Sequence, residues 1–378
     1  MSSNSKKIAL LSAGGTGGHV FPALALAQDL VKRGYKIVFV TDDRGVKYKK
    51  EIEGVEYKIV SSGTPNRSGI FAKIAGVIKL GLGILKAYSV LKKVQPSVVV
   101  GFGGYPSVPP VWVAQRLKIK TILHEQNAVM GKANQFLADK AQRIALSIPV
   151  KEGLSDAHKI KSVVTGNPVR EDIVELYSEP YQPPQPETKC HILVVGGSLG
   201  ATIFSEVVPE AVKLLPEGIR DKLSIVQQVR EADMAQTRKT YDDLDMDVEI
   251  QPFFEDLAGE LSKAHLVICR SGASSVAEVT TAGRPAIFVP FPSHSDNQQK
   301  MNAKALVKKG GAWMFDQSDF TPQKLADKIE DLILDPEQLF SASETARDMA
   351  KPDAARKLGN LIVALVQGWE TNKETKKT

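Results

Sequence analysis

One histidine stands among glycines at a spacing that suits the handling of a phosphate and a proton together. Ile8 to Leu26 reads IALLSAGGTGGHVFPALAL, an apolar run, a glycine loop, His19 and a second apolar run. The pattern predicts a buried strand, a tight turn and a helix starting near His19. Gly14, Gly15, Gly17 and Gly18 permit positive φ and let a ligand approach the main chain, and Thr16 adds a hydroxyl. Free N–H groups and the dipole at the helix start favour an anion. The chemistry on offer is a phosphate seat with an imidazole beside it.

Four further segments carry the same kind of side chain. Val98 to Phe102 reads as a strand running into Gly103-Gly104-Tyr105-Pro106-Ser107, and Thr121 to His124 as a strand ending in His124-Glu125-Gln126-Asn127. Open parallel sheets bind ligands along the edge where strands end, which places these loops in one site. His124 and Glu125 also read as a hydrogen-bonded pair that merely ties loops together. Ile192 to Val195 precedes Gly196-Gly197-Ser198-Leu199-Gly200, and Leu266 to Arg270 precedes Ser271-Gly272-Ala273-Ser274-Ser275-Val276-Ala277-Glu278. The second of these is another anion seat, with a carboxylate one turn into the helix that can take both hydroxyls of a ribose or simply complement the dipole.

These loops need elements to hold them. Strand, glycine loop and helix open the chain and recur after the proline-rich stretch 177–189, so the expectation is α/β, two doubly wound parallel-sheet domains. Strands are expected near Lys36 to Thr41, Ser224 to Gln228, Val248 to Pro252 and Ala286 to Val289, and VVTGNPVR, 163–170, finishes the first half. Asp42 and Asp43 close the second strand, where NAD folds carry a ribose-binding acid. The fingerprint fails, however, because Val20 stands where its third glycine belongs. Residues 70–93 put Ile70, Ile74, Val77, Ile78, Leu85 and Tyr88 on one side of a helix, with Lys73, Lys79 and Lys86 off it. Phe71, Leu80, Leu82 and Ile84 widen the apolar surface. Two readings stand: helices packed on a sheet, or a basic apolar patch resting on anionic lipid.

Bulk properties bound the function. The 378 residues fit two domains, and 43% hydrophobic with 24% charged residues is globular composition. A net charge of +6 and a pI near 9.0 suggest an anionic partner. Cys190 and Cys269 lie in apolar runs and read as reduced core thiols. IALLSA is too short for a signal-peptide core and no stretch approaches a membrane span, so the expectation is the cytoplasm or a membrane face. Asp243-Leu244-Asp245 and Asp245-Met246-Asp247 have D-x-D spacing but precede a strand and read as a solvated turn. No His, Cys or acidic arrangement suggests a metal, and neither a serine nucleophile elbow nor a P-loop is present. The tail from Lys373 is polar.

In order, GGTGGHVFPALA, GFGGYPS, HEQNA, TGNPVR, VVGGSLGA, CRSGASSVAE and the Gln298-Gln299 pair closely resemble the MurG family, from residue 8 to 315. These transferases add N-acetylglucosamine from its UDP donor to an undecaprenyl-pyrophosphoryl muramyl-pentapeptide, converting lipid I to lipid II in peptidoglycan synthesis. The resemblance implies the GT-B fold, two facing Rossmann-like domains with a cleft between them. An acceptor and membrane-facing domain would span 1–168, with helix 355–378 packing back on it, and a UDP-GlcNAc domain 169–354. It implies no cofactor, no metal and no nucleic acid. The expected partners are UDP-N-acetylglucosamine, the lipid-linked muramyl-pentapeptide, an anionic membrane surface met through residues 70–93, and other cell-wall and division proteins. The expected location is the cytoplasmic face of the inner membrane, in a protein serving cell-wall biogenesis, cell shape and division.

Residue by residue, the resemblance gives Ser198 and Arg170 to the donor diphosphate, and Phe253 and Phe254 to the uracil. Ala273, Ser274, Ser275, Val276 and Ala277 go to the nucleotide, Glu278 to the ribose, and Gln298 and Gln299 to the sugar. Gly14, Gly15, Gly103, Gly104 and Tyr105 would hold the acceptor diphosphate, with Asn134 near the sugars. Thr16, Gly17, Gly18 and Asn127 serve the same loops and also border the donor. Leu199 replaces the glutamine of many members, and Pro292-Ser293-His294-Ser295 is one residue longer than usual. An inverting transfer needs a base, for which His19 at a positive helix end stays neutral, and positive groups such as Arg170 for the leaving UDP. The alternatives for His19 are a helix cap or a passive phosphate ligand. For the chain they are another GT-B UDP-sugar enzyme (a glycolipid synthase or epimerase), a NAD-binding oxidoreductase, or an idle membrane adaptor.

Overall fold

The computed structural model describes residues 7–49, 52–60, 70–150, 152–197, 200–244, 246, 248–292 and 297–368, apart from the side chains of 70–75 and 77. The chain divides into two compact units, one of Met1–Pro168 with Asp353–Thr378 and one of Val169–Pro352. Each is built on one parallel sheet.

In the first unit the strands are β1 (Ile8–Ser12), β2 (Lys36–Thr41), β3 (Val55–Ile59), β4 (Val98–Gly101), β5 (Lys120–Glu125), β6 (Arg143–Leu146) and β7 (Ser162–Val164). Their order is β3-β2-β1-β4-β5-β6-β7, all parallel. Side chains alternate across the sheet. Ala9 and Leu11 of β1 join one core with helix α1 (Gly17–Lys32). Leu10 joins the opposite core with α2 (Ile70–Val94) and α3 (Val108–Arg116). The helix Ala354–Gln367 crosses back onto α1: Leu358 and Ile362 are fully buried in the same core. Arg33 Nη1 donates to Asn360 Oδ1 at 2.7 Å. Lys120 Nζ donates to the Leu365 carbonyl at 2.8 Å, which places a cation on the helix's carboxyl end.

α2 is a single helix, and it packs by its small residues. Gly76, Gly83, Ala87 and Leu91 are buried, whereas the apolar side chains of the predicted stripe face out. Ile78 is 58%, Leu85 68% and Tyr88 47% exposed, and Leu82 is 59% exposed beside them. Ile70, Phe71, Lys73, Ile74 and Val77 belong to the side chains outside the described set. Among the described residues no helix is long and apolar enough to cross a membrane.

The second unit holds β8 (Cys190–Val195), β9 (Leu223–Gln228), β10 (Val248–Gln251), β11 (Leu266–Cys269), β12 (Ala286–Phe288) and β13 (Trp313–Met314). Their order is β10-β9-β8-β11-β12-β13, again parallel. The proline-rich stretch is part of this unit, anchored by buried Tyr181, whose hydroxyl donates to the His265 carbonyl at 2.9 Å. Asp245 and Asp247 lie outside the described residues, as does the tail from Lys373; Asp243 sits in a turn.

Candidate active site

The first glycine loop is shaped by contacts that its sequence does not reveal. α1 begins at Gly17, with Thr16 as an extended N-cap at φ −137° that makes no side-chain cap bond. Gly17, Gly18 and His19 are therefore the helix's first three residues, and His19 is not its cap. Of the four glycines only Gly15 is at positive φ, +86°. Gly14 is needed for closeness: a Cβ there would meet Asp42 Oδ1 at 2.7 Å and Pro106 Cβ at 2.8 Å. Buried Asp42 holds the loop, its Oδ1 accepting from the Gly15 N–H at 2.8 Å and the Gly45 N–H at 3.1 Å. Arg44 donates from Nε to Asp42 Oδ2 at 3.0 Å. The acid weighed as a ribose ligand is thus occupied as a loop clamp.

The second loop meets the first at the imidazole. Gly103 and Gly104 are both left-handed, at φ +77° and +70°. A Cβ on Gly103 would lie 3.6 Å from His19 Cε1, and one on Gly104 3.5 Å from His19 Nε2. These are near ordinary contact distances, so it is the positive φ of the two residues that calls for glycine beside the ring. Burial pushes His19 below its ordinary pKa, against the opposing pull of the Glu125 carboxylate and the nearby Gln126 amide and Phe102 carbonyl. Desolvation thus favours the neutral imidazole.

His124 and Glu125 do not bond to each other; each ties a different loop. His124 Nε2 meets the Gly166 carbonyl at 3.1 Å, and burial lowers its pKa to about 4. Glu125 Oε1 accepts from the Asn127 N–H at 2.9 Å, and Oε2 from the Gly131 N–H at 2.9 Å and Asn134 Nδ2 at 2.8 Å. Asn134 is 1% exposed, so its amide is a strut for Glu125 before it is a ligand. Tyr105 opens a short 3-10 turn and is half-buried.

In the second unit Gly197 and Gly200 are left-handed, at +85° and +70°, and Ser198 and Leu199 between them lie outside the described residues. Gln228 clamps this loop: Oε1 accepts from the Gly196 N–H at 3.0 Å, while Nε2 donates to the Gly197 carbonyl at 3.1 Å and the Pro252 carbonyl at 3.2 Å. The helix Ala273–Thr281 opens with Ala273, Ser274, Ser275, Val276 and Ala277, all half-buried, behind Gly272 as its N-cap. Glu278 is buried in that helix, and Arg170 Nη2 donates to its Oε1 at 3.2 Å. Burial raises the Glu278 pKa, opposed by Arg170. Two residues assigned separately to ribose and diphosphate are therefore paired.

Phe253 and Phe254 part company. Phe253 is 46% exposed, whereas Phe254 packs in the core with Val169 and Leu261, so only Phe253 has a ring free to border a base. This corrects the expectation for Phe254: consecutive residues leaving a strand point to opposite sides. Gln299 Oε1 accepts from the Phe291 N–H at 2.9 Å, and Gln298 begins the helix Gln298–Lys308. Ser293, His294 and Ser295 lie outside the described residues. Among the described residues no group of three His, Cys, Asp or Glu side chains is placed to hold a metal.

Asp42, Arg44, Gln126 and Gln228 are the site residues whose roles sequence reasoning missed. Their partners are 27, 2, 24 and 32 positions away in the chain, and apart from the Asp42–Arg44 pair no local signal marks them.

Residues 9–146 match the glycosyltransferase family 28 N-terminal domain and residues 191–358 its C-terminal domain. A protein of Rhodospirillum centenum named UDP-N-acetylglucosamine--N-acetylmuramyl-(pentapeptide) pyrophosphoryl-undecaprenol N-acetylglucosamine transferase is 44% identical over 94% of this chain and 93% of its own length. A Rhizobium etli protein of the same name is 43% identical over 99% of each. Among solved structures, Acinetobacter baumannii MurG aligns at TM-score 0.73 and 33% identity, covering 94% of this chain and 99% of its own. The UDP-GlcNAc 2-epimerase of Neisseria meningitidis, at TM-score 0.65 and 16% identity over 94% and 99%, shares the fold.

Proposed function

Since the chain belongs to glycosyltransferase family 28, and within it to the MurG transferases, we infer that it moves N-acetylglucosamine from UDP-N-acetylglucosamine to lipid I in peptidoglycan synthesis. The observation that carries the mechanistic reading is the half-buried imidazole of His19, its pKa lowered by desolvation, seated in the first turn of α1 against the backbone of a second glycine loop.

In this reading the first unit receives the acceptor. His19 takes the proton from the attacking sugar hydroxyl as the bond to the anomeric carbon forms, and the bond to UDP breaks with inversion. The loops at Gly14–Gly18 and Gly103–Tyr105 hold the acceptor's diphosphate, and Asn127 borders the sugars, with Asn134 bracing that wall through Glu125. The second unit receives the donor. Phe253 borders the uracil, Glu278 takes the ribose hydroxyls, and the turn Ala273–Ala277 meets the nucleotide. Ser198 and Arg170 stabilise the leaving diphosphate, and Gln298 and Gln299 face the sugar. Arg170 serves Glu278 as well, since one guanidinium has donors for a carboxylate and for phosphate.

The exposed Ile78, Leu82 and Leu85 beside Lys79 and Lys86 support a peripheral membrane site for the first unit, at the leaflet carrying the lipid acceptor. Cell-wall and division proteins at that surface are the further partners this location implies. The test is transfer of labelled N-acetylglucosamine from the UDP donor to a lipid-linked muramyl-peptide in detergent. Product with acceptor and none without it is expected; acceptor-independent turnover to free UDP and a changed sugar would place the chain with the epimerases.

A further inference from the structure

Two buried polar atoms, His19 Nδ1 and Gln126 Oε1, stand without a partner at hydrogen-bond geometry among the described residues. Both lie in one packed corner: a Cβ on Gly103 would be 3.6 Å from His19 Cε1, the carbon between the two ring nitrogens, and 3.7 Å from Gln126 Oε1, and the Gln126 side chain is within hydrogen-bonding influence of the ring. The amide is not free to turn, because its Nε2 donates to the Phe102 carbonyl at 2.8 Å. That leaves the oxygen as the one unfilled group of Gln126. A buried acceptor beside a buried imidazole nitrogen has a single mutually satisfying state, with a proton on that nitrogen.

We propose that Gln126 is the positioning residue of His19: its Oε1 accepts the Nδ1–H, which fixes the neutral ring in the tautomer whose unprotonated nitrogen is Nε2, the one against Gly104. The proposal rests on the reading of His19 as the base. A neutral amide orients the ring without supplying a counter-charge, so the imidazole stays neutral and ready to accept. The charged and titratable groups of this corner are Glu125 and His124 on β5 and, under the glycine loop, Asp42 with Arg44. As the acceptor hydroxyl forms its bond to the anomeric carbon and the electron pair of the broken bond leaves with UDP, its proton passes to Nε2. The resulting imidazolium keeps its Nδ1–H on Gln126.

The test is nitrogen-15 histidine NMR on the full chain, with His19→Ala identifying the signal among the 6 histidines. The wild-type ring is expected as the Nδ1–H tautomer, and Gln126→Leu should mix the two tautomers. The variant should lower kcat by about 10- to 100-fold with little change in either KM. It should also move the acid limb of the pH profile downward, since an acceptor that favours imidazolium has gone. A wild-type Nε2–H tautomer overturns the proposal, and so does a Gln126→Leu chain with tautomer and acid limb unchanged. If that variant does not fold, the wild-type spectrum decides. A shifted tautomer with unchanged kcat upholds Gln126 as the positioning group and instead overturns His19 as the base.

Discussion

The two glycine loops follow equivalent central strands, β1 and β8, and each is clamped by a side chain at the end of the neighbouring strand, β2 or β9. In the first unit the clamp is a carboxylate, Asp42; in the second it is an amide, Gln228. The difference matters for what each loop can bind. Asp42 uses the Gly15 N–H and puts negative charge under the loop, offset by Arg44, and the titratable His19 stands beside it. Gln228 fixes its loop with no charge, so no clamp carboxylate lies under the loop, and the unit's Arg170 is paired with Glu278. A shared backbone plan thus carries one loop with a charged clamp and an imidazole beside it, and one with a neutral clamp.

Substitutions can break that contrast at graded strength. The largest effect is expected at the buried ion pair of the second unit: Arg170→Ala leaves Glu278 without its counter-charge and should cost about 3–5 kcal/mol in urea unfolding. Adding Glu278→Gln should recover much of that loss. Next comes acid sensitivity in the first unit. Burial lowers the His124 pKa from an ordinary 6.5 to about 4, so its contribution is fully present above 6.5 and is lost as pH falls toward 4. By linkage, lowering the pH from 7 to 5 should remove ~2 kcal/mol, and His124→Gln should flatten that part of the stability curve.

The clamps themselves come third. Asp42→Asn keeps an acceptor for the Gly15 N–H and should cost less than about 1 kcal/mol, because Arg44 is largely exposed, whereas Asp42→Ala should cost about 1–3 kcal/mol. Equal losses from the two variants would mean that the charge of Asp42 matters more than its hydrogen bonds, and the parallel with Gln228 would fail. Smallest in stability is the exposed face of α2: Leu82→Ser with Leu85→Ser should change unfolding by no more than about 0.5 kcal/mol. The same pair should weaken co-sedimentation with anionic vesicles while transfer to a soluble acceptor analogue persists.

The strands at the centre of both sheets were legible because a parallel strand buried on both faces reads as an unbroken apolar run, as in Leu10-Leu11 and Val98-Val99-Val100. β3, β6, β7 and β13 leave no such run, being short or interrupted by charged or exposed residues such as Glu56, Lys58, Arg143 and Val164. The helix over 70–94 was visible as a period, but not which side packs. Gly76, Gly83 and Ala87 bring it close to its neighbours, and hydropathy gives such small residues little weight. At the site, the glycines and His19 announced themselves, and Arg170 and Glu278 followed from resemblance. That those two pair with each other, that Phe254 faces inward, and that Asp42 holds Gly15 depend on distant chain segments meeting. No local pattern encodes such meetings.

The division of labour between the loops is tested most directly by measuring UDP-N-acetylglucosamine affinity and transfer rate on the same His19→Ala preparation. The donor Kd should stay within about threefold of wild type while transfer at saturating substrates falls by about 100-fold or more. A His19→Ala chain that transfers at a near-normal rate, or that no longer binds the donor, would contradict the assignment of the first loop to the acceptor and its proton.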